Sequence, residues 1–205
     1  DRAAVRLVGW AIKDGGWIDN VPGTRTYVLE GGYGYNPNNF GRTNTINNAI
    51  TLSSSPVTVN VGSGTSLTLA GALGGTGGLT KNGTGTLTYS GGTANTYSGV
   101  TTVNDGTLLL SKTIANSSVV GSALTIGDGP GAVASAVVRL ATTSQLGTTP
   151  AITINADGLL DLNNITEAVG NSLTLNDGEI QTGTGTVSLA ANSTIAVSGT
   201  PSISG

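Results

Sequence analysis

Residues 152–162 read Ile152-Thr153-Ile154-Asn155-Ala156-Asp157-Gly158-Leu159-Leu160-Asp161-Leu162. An apolar–Thr–apolar triplet runs into an Asp-Gly corner, and a second apolar run follows at once. The triplet alternates with period 2, so both isoleucines point to one side and Thr153 to the other. Thr and the β-branched aliphatics suit a pleated, half-buried surface. Asn, Asp and Gly tolerate the left-handed backbone of a sharp corner. The segment reads as strand, corner, strand.

Working outward, the same triplet recurs at Ile50-Thr51-Leu52, Val57-Thr58-Val59, Leu67-Thr68-Leu69, Leu87-Thr88-Tyr89, Leu124-Thr125-Ile126 and Leu173-Thr174-Leu175. The corner recurs as Asp105-Gly106, Asp128-Gly129 and Asp177-Gly178, beside Asp157-Gly158. These eight residues are the expected turn formers. Asp-Gly between apolar runs is also a hairpin signal. Three features favour a solenoid instead. The strands are very short, the inward residues are almost all Leu, Ile or Val, and the unit returns every 20–30 residues or so. In a parallel β-helix small aliphatics fill a narrow core, while outward Thr, Ser and Asn stack as ladders. The fold class expected is all-β, a parallel β-helix over residues 50–205 with about seven or eight coils. No helix is convincing. The nearest candidate is 134–146, where Ala136–Leu140 reads equally as a strand. The glycine-rich runs 71–78 and 182–186 read as turns between coils.

The chain has 205 residues, of which only 9% are charged, and Gly, Thr, Ser and Asn make up about half of it. The absence of Cys and His removes thiolate chemistry, disulfides and the commonest metal ligand. The net charge of −3 comes without a basic patch, so no nucleic-acid partner is expected. No run of 18 apolar residues marks a transmembrane segment. The absence of Met is read as the mark of a trimmed N-terminus, with signal-peptide removal the expected cause.

Residues 78–112 carry Leu79-Thr80-Lys81, Gly83 to Leu87, Ser90-Gly91, Asn95-Thr96-Tyr97, Gly99 to Val103 and Gly106-Thr107-Leu108. This order strongly resembles the autotransporter-associated β-strand repeat of bacterial surface proteins. The resemblance covers about a sixth of the chain. It implies a right-handed parallel β-helix outside a bacterial cell, and no enzymatic activity by itself. The chain departs from the pattern in an insertion at Gly92-Thr93 and in Tyr89, which stands where an aliphatic is usual.

The candidate chemistry is thin. Asp157 and Asp161, with Arg139 about one coil earlier, are the one cluster that could resemble a polysaccharide-active site, which needs paired carboxylates. The plainer reading is an outward strand face. Lys81 reads as a solvated side chain on the outer face. A calcium β-roll repeats Gly-Gly-x-Gly-x-Asp at nine residues, and residues 74–79 lack the Asp and the tandem copies. Thr84, Thr86 and Thr88, with Thr182, Thr184 and Thr186, read as stacked ladders rather than ice-binding arrays. No cofactor and no metal site is expected.

Residues 1–49 differ from the rest. They hold six of the eight aromatic residues, Trp10, Trp17, Tyr27, Tyr33, Tyr35 and Phe40, and five of the eight basic ones. A solenoid end exposes open core and unpaired strands. Two readings of this segment stand: an aromatic N-terminal cap, or an arm that docks on the next subunit. Residues 198–205, with Pro201 and Ile203, resemble the stretch from Ser63 that leads into the repeat, so a further copy is expected to follow there. Together these give the expected interface residues and the expected function. The chain is read as a non-enzymatic structural protein, extracellular or on the bacterial surface, self-associating head to tail into filaments. The alternative is an adhesin or passenger fragment that binds a host surface or glycan, and a polysaccharide-active enzyme stands third.

Overall fold

A computed structural model describes residues 27–29 and 43–205, apart from 120, 148, 149, 170 and 171; of Tyr27–Leu29 it gives the backbone. Strands and turns make up the described residues. The early strands are β1 (Tyr27–Leu29), β2 (Thr43–Ile46), β3 (Ile50–Leu52), β4 (Val57–Val61), β5 (Ser66–Leu69), β6 (Leu73–Gly75), β7 (Leu79–Asn82) and β8 (Thr86–Tyr89). There follow β9 (Thr101–Val103), β10 (Gly106–Leu110), β11 (Ala123–Ile126), β12 (Ala136–Leu140), β13 (Ala151–Ile154) and β14 (Gly158–Asp161). The series ends with β15 (Glu167–Val169), β16 (Ser172–Asn176), β17 (Glu179–Gln181), β18 (Val187–Leu189), β19 (Thr194–Ser198) and β20 (Ser202–Ser204).

Two parallel sheets of eight strands form the walls. One, sheet A, runs β1-β4-β7-β9-β11-β13-β16-β19 and the other, sheet B, runs β2-β5-β8-β10-β12-β14-β17-β20. Each coil contributes one strand to each wall. A third side carries the short pairs β3-β6 and β15-β18 and the bridge between Val119 and Leu146. The architecture is a parallel β-solenoid of about seven turns. All seven triplets lie in strands. The Asp-Gly pairs connect sheet A to sheet B at one stacked corner, so the strands they join are not hydrogen-bonded neighbours. At that corner Gly106 has a φ of 67° and Asp177 a φ of 59°, the left-handed region that Gly and Asp reach most readily.

The register explains the sequence pattern. In sheet A, Val57, Leu79, Thr101, Leu124, Ile152, Leu173 and Ile195 lie one above another. In sheet B the inward column is Leu67, Leu87, Leu108, Val138, Leu160, Ile180 and Ile203. Strands stand about 4.8 Å apart, so each aliphatic rests on its equivalent in the coil below. Outward, Thr58, Thr80, Thr102, Thr125, Thr153 and Thr174 form a column that Ala196 ends. Beside it runs a ladder of amides: Asn104 Nδ2 donates to Asn82 Oδ1 at 2.9 Å and Asn176 Nδ2 to Asn155 Oδ1 at 3.2 Å.

Two sequence readings change. The run 71–78 is not all turn, because Leu73–Gly75 is β6, paired with β3. Glycine is needed there for proximity: a Cβ on Gly77 would collide with the Ser53 carbonyl of the previous coil. Lys81 is not solvated. It is fully buried, in the inward column between Val59 and Val103.

Burial of a Leu side chain is worth roughly 1.5–3 kcal/mol. Leu108 is fully buried between Leu87 and Val138. Leu108→Ala is expected to cost about 2–5 kcal/mol in denaturant unfolding. Ile203→Ala, at a side chain 63% exposed, is expected to cost less than about 1 kcal/mol in the same measurement.

Candidate functional site

The residues expected at an interface divide by what is described. Trp10, Trp17, Tyr33, Tyr35 and Phe40 lie outside the described residues. Tyr27 begins β1, whose backbone pairs with β4 in sheet A, and β2 pairs with β5 in sheet B. Pro201 precedes β20, and Ile203 lies within it. The coil of β19 and β20 carries Ile195, Val197 and Ile203, which are 54%, 60% and 63% exposed. Leu173, Leu175 and Ile180 hold the same register positions one coil earlier and are buried. On this coil the inward aliphatic pattern continues with no further described coil stacked on it.

The acid–base cluster assembles only in part. Arg139 and Asp161 face outward in register on β12 and β14, and Arg139 Nε stands 3.3 Å from Asp161 Oδ2. Arg139 also donates to Asn163 Oδ1 at 2.8 Å. With Asn164, Gln181 and Gly183 these residues line a shallow, polar depression of about 250 Å³. Asp157 is not part of it. It is fully buried at the corner before β14, four residues along the chain from Asp161. Four extended residues span roughly 13 Å, more than the separation of the paired carboxylates that hydrolyse glycosides. Among the described residues no group of three acidic side chains gathers around a metal position.

The notable polar chemistry is internal, and sequence reasoning missed it. Lys81 Nζ donates to the Gly83 carbonyl of its own coil and to the Asp105 carbonyl of the next, both at 2.8 Å. Burial lowers its pKa from 10.5 to about 8, with the Asp105 charge opposing. Lys112 Nζ reaches back to the carbonyls of Ser90 at 2.9 Å, Thr93 at 2.8 Å and Gly71 at 3.3 Å. Burial lowers its pKa as well. Asn95 is a wedge on the third side. Its Oδ1 accepts from the Leu73 N–H at 2.9 Å and its Nδ2 donates to the Ser118 carbonyl at 2.8 Å, so one amide joins three coils. Higher up, Glu167 Oε1 accepts from the Leu146 N–H at 2.9 Å, and burial pushes its carboxyl upward. Tyr97 Oη lies 2.6 Å from Thr101 Oγ1. Tyr89, in the inward column between Leu69 and Leu110, is fully buried.

Lys81, Asn95 and Tyr97 all lie within the segment that strand order and spacing single out, where β7 and β8 of one coil stack under β9 and β10 of the next. Residues 79–110 match the family model of the passenger-associated-transport-repeat. No curated protein and no solved structure matches the chain. In the chain's own geometry the repeat is one full coil plus both walls of the following one. Its Leu-Thr-Lys and Asn-Thr-Tyr stretches supply the side chains that tie those coils together. The repeat and the solenoid together fit an autotransporter passenger-type protein, and they suggest a surface or secreted, non-catalytic role. No helix among the described residues is long and apolar enough to cross a membrane.

The folded chain releases the Lys81 proton near pH 8, whereas the unfolded chain holds it to about 10.5. Between those values the unfolded state binds more protons, so stability rises with pH. Lys112 acts in the same direction. Urea unfolding of the wild type is expected to show a gain of about 1–2 kcal/mol from pH 7.5 to pH 9.5. Lys81→Met is expected to flatten that rise, leaving the part due to Lys112.

Proposed function

We propose that the chain is a non-catalytic structural rod of the bacterial surface, an autotransporter-type passenger solenoid whose copies join end to end into an extracellular fibre. The carrying observation is the match of residues 79–110 to the passenger-associated-transport-repeat within two eight-stranded parallel walls; the end-to-end contact is read from the coil of β19 and β20. It presents Ile195, Val197 and Ile203 to solvent, at register positions that are buried one coil below. Parallel strand edges lie beside them. Such an edge accepts another strand by backbone hydrogen bonding. A stacked coil, whether of a continuing chain or of another copy, would bury the three aliphatics as Leu173, Leu175 and Ile180 are buried. In this reading residues 1–49, with Trp10, Trp17 and Tyr27, form the opposite docking end. Contacts between unlike surfaces propagate into open filaments when they do not close into rings.

A second reading, adhesion to a glycan, has one observation in its favour. The depression beside Arg139 and Asp161 combines a guanidinium, a carboxylate and three amide side chains, the donor and acceptor set that sugar hydroxyls pair with.

Electron microscopy and sedimentation of the full chain, beside a Val197→Lys, Ile203→Lys variant, separate the readings. Both positions are exposed, so the variant is expected to fold. The fibre reading expects filaments from the wild type and single rods from the variant. Single rods from both would sink the fibre and leave a passenger that works alone. Filaments from both would move the interface away from this coil.

A further inference from the structure

The stacked corner between sheets A and B is short in every described coil but one. The chain crosses it in two to four residues after β4, β7, β9, β13, β16 and β19, but takes nine after β11. Those nine residues are Gly127-Asp128-Gly129-Pro130-Gly131-Ala132-Val133-Ala134-Ser135. The corner can be turned in four, so this loop carries slack, and five extended residues reach roughly 17 Å. Residues 128–133 are exposed, Val133 at 75%. The loop is anchored at its ends: the Gly129 N–H donates to Asp157 Oδ1 at 2.8 Å, and the Ser135 carbonyl accepts from the Gly106 N–H at 2.8 Å. Between these anchors, residues 130–134 make no backbone hydrogen bond to a neighbouring coil. Ala134 also holds a φ of 57°, left-handed backbone that a residue with a Cβ adopts at a cost.

We infer that the 127–135 loop is a processing site for an external endoprotease that cuts after small aliphatic residues, and that the cut leaves a two-piece rod. A protease must draw an extended stretch of chain into its cleft, and exposed loop tips of small residues yield such a stretch most easily. The paired strands cannot do so without parting coils. The loop offers Ala132, Val133 and Ala134, which suit the small specificity pocket of an elastase-type enzyme and not the acidic pocket of a trypsin-type one. Hydrolysis adds water across the Val133–Ala134 bond, leaving a carboxylate on Val133 and an ammonium on Ala134, and frees Ala134 from its left-handed backbone. The pieces stay interlocked. β11, the end of the first piece, lies against β13 of the second, and β12, the start of the second, lies on β10 of the first. The bridge between Val119 and Leu146 adds a contact on the third side. None of this depends on whether copies join end to end.

The test is limited digestion of the full chain with elastase and, in parallel, with trypsin, read by denaturing gel, N-terminal sequencing and gel filtration. The last coil, from Leu189, has its strands paired on one side only, so cuts there are read separately. Elastase is expected to make its first cut within residues 43–187 in the loop, with a new N-terminus at Ala134. The two pieces are expected to leave gel filtration as one particle. Trypsin is expected to leave residues 43–205 whole, because Lys81 and Lys112 are buried and Arg139 lies within β12. A Val133→Asp, Ala134→Asp variant is expected to fold, since Val133 is exposed and Asp takes a left-handed φ more readily than Ala. It is expected to slow the elastase cut by about tenfold or more. An uncut wild type, a first elastase cut elsewhere in residues 43–187, or a variant cut as fast as the wild type overturns the site. Tryptic cutting at Arg139 as fast as the elastase cut would mean that the coil opens as a whole, and overturns it too. Pieces that separate in gel filtration overturn the two-piece rod.

Discussion

Each coil is held by lying in register on the coil before it. The backbone of one strand finds its donors and acceptors in the neighbouring turns, and each inward side chain finds its contacts in the same column. Short strands such as Thr101–Val103 and Glu179–Gln181 could not stand alone. Stacked eight deep in sheets A and B, they become walls. The constraint propagates to composition. A column whose members must fit one above another at about 4.8 Å favours Val, Leu and Ile inside. It favours Thr and Asn outside, where identical side chains can face or bond one another.

Against that uniform background the buried polar groups stand out as ties between coils. A strand ladder links only adjacent turns. Asn95 and Lys112 each reach carbonyls or amides of several turns at once. Lys81 secures the corner where the chain leaves β7, by bonding carbonyls above and within its own coil. The core is narrow, and these contacts add rigidity beside its stacked side chains. They also give the matched repeat a physical meaning. Its polar positions hold coils together.

The walls were legible in the sequence because period-2 alternation is a direct print of a strand with one buried face. Every apolar–Thr–apolar triplet landed in a strand for that reason. The third side was far less legible. Ile50–Leu52 and Val187–Leu189 alternate over only three residues, and Leu73–Gly75 and Glu167–Val169 carry Gly or Glu where the wall strands carry Thr between aliphatics. Lys81 was misplaced because a lone lysine on a strand is ordinarily outside; only the register with Val59 and Val103 turns it inward. Arg139 and Asp161 could be placed one coil apart from spacing alone, but the removal of Asp157 to the far end of its strand could not. The long corner after β11 looked like the other Asp-Gly corners, since its length shows only once the strands on either side are fixed.

The ties are unevenly spread along the axis. They run from Gly71 up to Glu167, and the coils of β16–β18 and β19–β20 are joined by backbone pairing and surface bonds such as Ser198 Oγ to Asn176 Oδ1. Parting those coils breaks one rung at a time, with no described side chain spanning several rungs to share the load. Opening at the repeat must release three coils together. Pulling or heating therefore meets a structure with a built-in order of failure: coils joined by backbone pairing alone part first, and the repeat acts as the latch at which parting stops.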